Sequence, residues 1–289
     1  MSWEMTSAGT VHLDDIVTPH GRRTGQIGGS SLYFALAAAP HATVHISAIV
    51  GEDAAAELRR TLAGLPVELG GVEVSPEPTF RWHAVHDFER WVAVTVAEEP
   101  GCDPEWRPRL TPEAARAPVL FLGSMRPSLQ RDILAQSSAR LIAVDSMACF
   151  TGPEREAVLE VVTGCDLLFL NRAELSSLVP EAPGWEAAAL SLRGRGRLRA
   201  VVVKAGPLGA ALVTSSGITE RPAAPVGEVI DPTGAGDAVA GGFLGLCAAA
   251  EREDEAFFAA ALEEGLARAA ATIASFGTAG LRRMAVGAI

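Results

Sequence analysis

The chain has 289 residues, 48% of them hydrophobic, and its formal net charge at pH 7 is -11. A chain of this length and composition can bury one large core, so we expect a single domain over residues 1–289. The negative charge repels phosphate groups, which excludes nucleic acid as the expected partner.

Cysteine usage and the apolar runs indicate where the protein works. The four cysteines stand singly, without the paired spacing of a zinc site or a redox dithiol. No basic and then apolar leader opens the chain, and the longest weakly polar runs, such as residues 238–250, are too short to span a bilayer. These features predict a reduced, cytoplasmic protein with no membrane partner.

Short β-branched and apolar runs alternate with alanine-rich helical stretches along the chain. Most of these runs are apolar throughout, which is typical of central strands covered on both faces. The pattern predicts an α/β fold of three layers with a mostly parallel central sheet and with the chemistry at the carboxyl ends of its strands. The strands are expected at residues 43–50, 119–122, 141–144, 167–170, 200–203 and 210–214.

The segment from about residue 67 to residue 100 has a different pattern, with short β-rich pieces at 79–83 and 90–96 and no helical period. We expect it to form a small β lid. The aromatic residues Phe80, Trp82, Phe88 and Trp91 either fill the core of this lid, form a contact between two copies of the chain, or face a ligand that the lid covers. The second alternative would make the protein a homodimer through the lid.

Residues 231–237 read DPTGAGD and lead into a helix of small, apolar residues. Glycines let the backbone approach a ligand, and the unpaired N–H groups of a helix's first turn attract an anion. We therefore expect the amides of Gly234, Ala235 and Gly236 to form an anion hole, and the small residues behind them to pack beneath a ligand. Asp237 should be ionised there and accept a proton from a substrate hydroxyl. For the turn alone, a capped helix without a ligand is the alternative.

Two other turns carry features of the same kind. Gly28 and Gly29 precede a helical run of small residues and allow the backbone to approach a ligand. Asn171 and Glu174 follow the strand at 167–170, and their spacing alone favours a capping box, in which Asn171 caps the next helix and Glu174 is its partner.

These motifs resemble those of the ribokinase/PfkB family of carbohydrate and nucleoside kinases. Residues 231–238 (DPTGAGDA) with 241–243 (GGF) resemble its C-terminal signature, and residues 28–29 with the following helix resemble its N-terminal signature. Residues 171–174 (NRAE) resemble its Asn-x-x-Glu motif, and residues 202–209 (VVKAGPLG) the strand and glycine turn that follow. The resemblance, to a less characterised branch, implies a ribokinase-like fold with a lid over the substrate, to which residues 10–30 also contribute. It further implies ATP-dependent phosphorylation of an alcohol, expected to be a primary hydroxyl.

On the donor side the resemblance implies ATP and Mg²⁺. It assigns Asn171 and Glu174 to the metal, held through water. A helix at 267–276 would border the adenine, and some relatives hold a monovalent cation beside the loop that begins at Asp231. Lys204 is either a nucleotide ligand or a surface lysine at a strand end. The residues assigned to the nucleotide are Lys204, Gly206, Gly209, Thr233 and Gly277.

On the acceptor side, Asp14 lies five positions after Gly9, as a sugar-binding aspartate does in the resembling kinases, and Asp15 is its competitor. Tyr33 stands where many relatives carry a hydroxyl-binding asparagine. Its ring would stack on a ligand, donate through its hydroxyl, or simply pack. The residues assigned to the acceptor are Asp14, Gly28, Gly29, Tyr33, Ser124 and Asp145.

The sequence therefore predicts a kinase whose partner is a small sugar, nucleoside or cyclitol, with a sugar or sugar-like molecule as the main prediction. A nucleoside kinase is the alternative, favoured if Tyr33 or a lid aromatic stacks on a base. A catalytically silent sugar- or nucleotide-binding regulator on the same fold is the alternative of another class. The presence of Asp237 with the whole anion hole argues against it.

Overall fold

The computed structural model describes residues 3–288, so residues 1, 2 and 289 of the predicted domain lie outside the described part. In chain order the strands are β1 (Met5–Ala8), β2 (His12–Thr18), β3 (Gly21–Gly28), β4 (Val44–Gly51), β5 (Val67–Ser75), β6 (Arg81–Asp87), β7 (Val92–Glu99), β8 (Val119–Leu122), β9 (Leu141–Asp145), β10 (Leu167–Asn171), β11 (Ala200–Lys204), β12 (Ala210–Thr214) and β13 (Gly217–Arg221). The α-helices are α1 (Ser30–Ala38), α2 (Glu52–Leu62), α3 (Pro112–Arg116), α4 (Pro127–Leu134), α5 (Ala148–Thr151), α6 (Arg155–Thr163), α7 (Arg172–Leu178), α8 (Trp185–Leu192), α9 (Ala235–Ala250), α10 (Glu255–Ile273) and α11 (Ala279–Gly287).

The central sheet has nine strands in the order β13-β12-β11-β10-β9-β8-β1-β4-β5. The seven neighbouring strands β11, β10, β9, β8, β1, β4 and β5 are parallel to one another. Strands β12 and β13 pair antiparallel and form the edge next to β11. The predicted α/β class is confirmed, and each strand expected from its apolar run lies within one residue of its predicted bounds. Strand β1 escaped prediction because Thr6 and Ser7 are polar, yet both are buried and their hydroxyls donate to Ala114 O and Ser31 Oγ.

Helices cover both faces of this sheet because successive strand residues point to opposite sides. In β10, Phe169 packs into the apolar cluster that holds Phe34 of α1 and Phe243 of α9. Its neighbour Leu168 packs into the second cluster, which α4, α6, α7 and α8 complete. The carboxyl ends of the parallel strands meet at one edge, where a ligand can reach them.

The lid is a separate sheet of four strands in the order β3-β2-β6-β7. The prediction that the lid begins at residue 67 is wrong, because β5 pairs in parallel with β4 at the edge of the central sheet. Strand β4, helix α2 and strand β5 form a crossover unit, and the alternating side chains of β5 suit an edge strand as well as a lid. The lid proper consists of residues 12–28 and 81–99.

The C-terminal helices also differ from the prediction. Helix α10 ends at Ile273, three residues before the predicted end, and a further helix, α11, follows. Gly277 lies between them with a φ of +58°, a backbone conformation that favours glycine. Within residues 3–288 no helix is long and apolar enough to cross a membrane. All four cysteines, Cys102, Cys149, Cys165 and Cys247, are free thiols.

Candidate active site

The glycine turn before α9 is shaped by its neighbours. Gly234 adopts a φ of +76°, and the ring of Tyr33 lies where a Cβ of residue 234 would be. The amine of Lys204 lies close to Gly236, only 2.9 Å from the Cβ position of a side chain there. Ala235 N–H donates to Pro232 O at 3.2 Å, so this amide of the predicted anion hole is engaged in the turn itself.

Asp237 lies in the first turn of α9, as predicted, but its ionised form is less favoured than it would be at a helix N-terminus alone. Burial, together with the nearby carboxylate of Asp145, raises the pKa of Asp237 to about 7, although Lys204 opposes the shift. Desolvation therefore outweighs the helix dipole. A carboxyl group with a pKa near neutrality is well matched to accepting a proton.

Lys204 is a buried residue of the site and not a surface lysine. Its Nζ donates to Asp145 Oδ2 at 2.6 Å, and only 16% of its side chain is exposed. Burial alone would lower the pKa of Lys204, but the carboxylates of Asp145 and Glu174 raise it above its usual value. Asp145 Oδ1 accepts from Ser146 N–H at 2.8 Å, so both carboxylate oxygens of Asp145, which was predicted to bind the acceptor, have hydrogen-bond partners. One of these partners, Lys204, lies beside the anion hole.

Asn171 and Glu174 form the capping box that their spacing predicts. Asn171 Oδ1 accepts from Glu174 N–H at 2.9 Å, and Glu174 Oε2 accepts from Asn171 N–H at 2.8 Å. Burial raises the pKa of Glu174 to about 7. Both residues also line the cavity next to Lys204. The capping hydrogen bonds therefore hold the two side chains at the site, and they leave Glu174 Oε1 available to a ligand.

A cavity of about 470 Å³ opens beside the anion hole. Its lining includes Lys204, Gly206 and Gly209, three residues that the sequence predicts to bind the nucleotide. It also includes apolar residues such as Val229 and Leu266. This volume lies in the range of pockets that hold small ligands.

Thr233 and Gly277, predicted for the nucleotide, lie outside this lining and fix the loop of Asp231 instead. The N–H groups of Thr233 and Gly277 donate to the two carboxylate oxygens of Asp231 at 3.0 and 3.1 Å. Thr233 Oγ1 also forms a hydrogen bond with Nε2 of His86, at 2.8 Å. Gly277 therefore connects the end of α10 to the glycine turn.

Asp14 has an unpaired oxygen inside the molecule. It is 1% exposed, its Oδ1 lies 2.7 Å from His12 Nδ1, and its Oδ2 has no partner among the described residues. A buried oxygen of this kind needs a partner such as a water molecule, an ion or a bound ligand. The carboxylate fills the space of a Cβ at Gly28, which explains the glycine there.

The competitor Asp15 belongs to the lid. Its Oδ1 accepts from Arg81 Nη1 at 3.0 Å and from Gly25 N–H at 2.7 Å, so it ties two lid strands together. Gly29, with a φ of +103°, begins α1 where a Cβ would collide with the carbonyl of Thr10. Gly28 is therefore required by its contact with Asp14, and Gly29 by its contact with Thr10.

Tyr33 and Ser124 complete the predicted acceptor side. Of the three alternatives for Tyr33, the structure shows packing, since it is 1% exposed and its ring rests on Gly234. Ser124 is half-buried in the turn between β8 and α4. Sequence reasoning missed His12 and His86. His12 was within reach, because residues two apart on a strand share a face, whereas the contact of His86 with Thr233 spans 147 residues.

Phosphoryl transfer suits this arrangement, because it needs a proton acceptor, a fixed positive charge and backbone donors around the transferred group. The protein is therefore a phosphotransferase with a ribokinase-like fold. The profile described as pfkB family carbohydrate kinase matches residues 20–282. The chain belongs to this family and is an ATP-dependent kinase that phosphorylates an alcohol group.

Known proteins agree with this assignment. The chain is 28% identical over 251 residues to a cytidine kinase of Thermococcus kodakarensis, covering 83% of this chain and 87% of the relative. The structure of a Methanocaldococcus jannaschii nucleoside kinase matches with a TM-score of 0.76 at 19% identity, over 99% of this chain and 97% of that one. A Vibrio cholerae fructokinase variant, with fructose, ADP and potassium bound, matches with a TM-score of 0.78 at 19% identity, over 99% of both chains.

Proposed function

We propose that the chain transfers the γ-phosphoryl group of ATP to a primary hydroxyl of a small acceptor held by Asp14. The position of Asp237, partly buried in the first turn of α9 with a pKa of about 7, carries this proposal. Asp237 takes the hydroxyl proton while the acceptor oxygen bonds to phosphorus and the bond to the leaving ADP breaks. The ammonium of Lys204 and the free amides of the glycine turn stabilise the charge that develops.

The donor set of the site suits Mg²⁺. The carboxylates of Asp145, Glu174 and Asp237 all act on the ammonium of Lys204, so three acidic groups face one basic group and a further cation would be stabilised there. Asn171 and Glu174 would hold the ion through water. The ion would neutralise phosphate charge. Loss of a carboxylate in Glu174→Gln should raise the Mg²⁺ concentration for half-maximal rate, and an unchanged Mg²⁺ dependence would count against this role.

A monovalent cation beside Asp231 is part of the same proposal. Within residues 3–288, the hydroxyl of Ser275 is buried without a hydrogen-bond partner, in the loop whose Gly277 contacts Asp231. These oxygens suit a hard cation, and the fructokinase neighbour was solved with potassium. Rates compared in potassium chloride and in tetramethylammonium chloride test it, and equal rates would contradict it.

The acceptor class has two candidates. A sugar or sugar-like molecule is the first, because Asp14 Oδ2 offers an acceptor for hydroxyl groups. A nucleoside is the second, favoured by the similarity to a cytidine kinase. The rings of His12 and Phe80, 5.6 Å apart beside Asp14, could also contact a base.

A panel of acceptors separates these candidates. We expect release of ADP from ATP that depends on the acceptor, measured with ribose, fructose and myo-inositol on one side and cytidine, adenosine and inosine on the other. Faster release with free sugars supports the first candidate, and faster release with nucleosides supports the second. If no acceptor in a broad panel raises ADP release, the proposed acceptor classes are wrong.

The remaining parts of the proposal concern the whole chain. One domain would extend over residues 1–289, with the lid as part of it. Val92, Val94 and Val96 on the outer strand β7 are exposed, which supports a homodimer through the lid. We also place the protein in the cytoplasm, as its unpaired cysteines suggest.

A further inference from the structure

One lid residue reaches the donor cavity. Trp91, in the turn between β6 and β7, lines the cavity that also contacts Lys204 and Gly206, while every other lining residue lies outside the lid. The lid was expected to cover the acceptor. The structure therefore gives it a second contact, on the side of the nucleotide.

The turn holds the indole ring in a fixed place. Asp87 Oδ1 accepts from the N–H groups of Glu89 at 2.9 Å and Arg90 at 3.0 Å. Trp91 follows with a φ of +55°, which is unfavourable for a bulky residue and persists only where its surroundings hold it. Its ring stacks on Phe88 at 5.7 Å between centroids, with 12° between the planes.

The exposure of Trp91 shows that it does not fill the core of the lid. The residue is 46% exposed although its ring is oriented by Phe88. An ordered, half-exposed aromatic side chain at the wall of a cavity has a face free for a ligand.

The same lid sheet contacts the other two parts of the site. Strand β2 carries Asp14, and in the register of the sheet Asp14 lies beside Trp82 of β6. Near the end of β6, His86 contacts Thr233 at the start of the glycine turn. Acceptor ligand, glycine turn and donor cavity are therefore connected through β2, β6 and the turn that follows.

We propose that Trp91 is a nucleotide-binding residue, which packs its ring on the nucleotide in the donor cavity, so that the lid closes over donor and acceptor together. This rests on the donor site of the proposed function. Lid closure then excludes water from both reacting groups. An acceptor that holds the lid closed raises nucleotide affinity, and the nucleotide raises acceptor affinity by the same factor.

Titration of the full-length protein with ADP and Mg²⁺, followed by calorimetry, tests the proposal without any acceptor. Trp91→Gly removes the ring and also suits the positive φ, so the melting temperature should stay the same or rise while the Kd for ADP rises about five- to tenfold. Trp91→Phe keeps a flat ring and should stay within about twofold of wild type. Val85→Ala, a change at an exposed lid residue outside the cavity, is the matched control and should leave the Kd unchanged.

Three results would overturn the proposal. The first is a Kd for ADP in Trp91→Gly that stays within about twofold of the wild-type value, whatever the oligomeric state of the variant. If this variant also loses a dimer in size-exclusion chromatography, Trp91 belongs to a contact between two copies of the chain. The second is an equal loss of affinity in Val85→Ala, which would show general damage to the lid. The third, a wild-type protein that binds no ADP, would overturn the proposed donor site itself and the role of Trp91 with it.

Discussion

Asp237 is subject to opposing electrostatic influences. The N-terminus of α9 and the ammonium of Lys204 favour its charged form, whereas burial and the carboxylate of Asp145 favour the neutral form. The neutral form gains most, so the pKa is about 7 and not that of an exposed aspartate. The sequence shows the helix and the glycines, but it does not show the depth of burial or the carboxylate brought from β9.

The pH dependence of the reaction follows from this balance. A base works when it is deprotonated, so kcat/KM should rise about tenfold per pH unit below the pKa of about 7 and level off above it. The measurement is initial rates at saturating MgATP and low acceptor, from about pH 5.5 to about pH 8.5. A flat profile across neutrality, or a rate that falls as the pH rises, would contradict Asp237 as the base.

Gly234 tests how tightly the turn is built. In Gly234→Ala the new methyl group would meet the ring of Tyr33, and the φ of +76° is itself unfavourable for alanine. Gly64 is a matched control, because its φ of +81° is similar and no atom lies within 4 Å of a Cβ there. Urea unfolding should show a loss of about 1–2 kcal/mol for Gly64→Ala and about 1–3 kcal/mol more for Gly234→Ala.

If the two variants lose equal stability, the ring of Tyr33 does not pack closely against Gly234. A second check is the activity of each variant. Gly234→Ala should lose turnover through displacement of the anion hole, whereas Gly64→Ala should keep it.

Helix α9 owes its small residues to helix packing more than to a ligand. Gly241 lies against Phe34 and Ala37 of α1, and Gly242 lies against Gly265 of α10. The expectation that this run packs beneath a ligand holds for its N-terminal part, where Ala235, Gly236 and Val239 line the cavity. Close packing on two sides fixes the position of the helix and so the direction in which its N-terminus points.

Substitution of Gly241 should therefore cost stability out of proportion to one methyl group. A Cβ at this position lies 2.5 Å from Phe34 O, so Gly241→Ala should lower the free energy of unfolding by about 1–3 kcal/mol. Gly287, the last residue of α11, has no atom within 4 Å of its Cβ position, and Gly287→Ala should change the free energy of unfolding by less than about 0.5 kcal/mol. A Gly241→Ala protein as stable as wild type would contradict the close approach of α1 and α9.

Elements with a strong local signal could be predicted from the sequence. The apolar strands β8 and β12 are predicted to the residue, because burial on both faces leaves an unbroken apolar run. Strand β5 shows the limit, since its alternating residues fit either sheet and only its pairing with β4 decides between them. The end of α10 was also missed, because the residues up to Phe276 remain compatible with a helix while Gly277 bonds to the distant Asp231.

The site as a whole depends on contacts that no local pattern contains. Motifs indicated Asp237, Asn171 and Glu174, but Lys204 joins Asp145 across 59 residues of sequence. The lid likewise places His86 and Trp91 next to residues more than a hundred positions away. The reaction class was therefore within reach of the sequence, whereas the connection of the lid to the donor side was not.

The central claim is that Asp237 accepts the proton of the acceptor hydroxyl in an ATP-dependent transfer. The most direct test compares ADP release by wild type and Asp237→Asn with the best acceptor of the panel, and calorimetry of ADP binding serves as control for the fold. We predict a loss of about 10²- to 10⁴-fold in kcat with ADP binding retained. An Asp237→Asn protein that binds ADP and turns over at a near-normal rate would contradict the account.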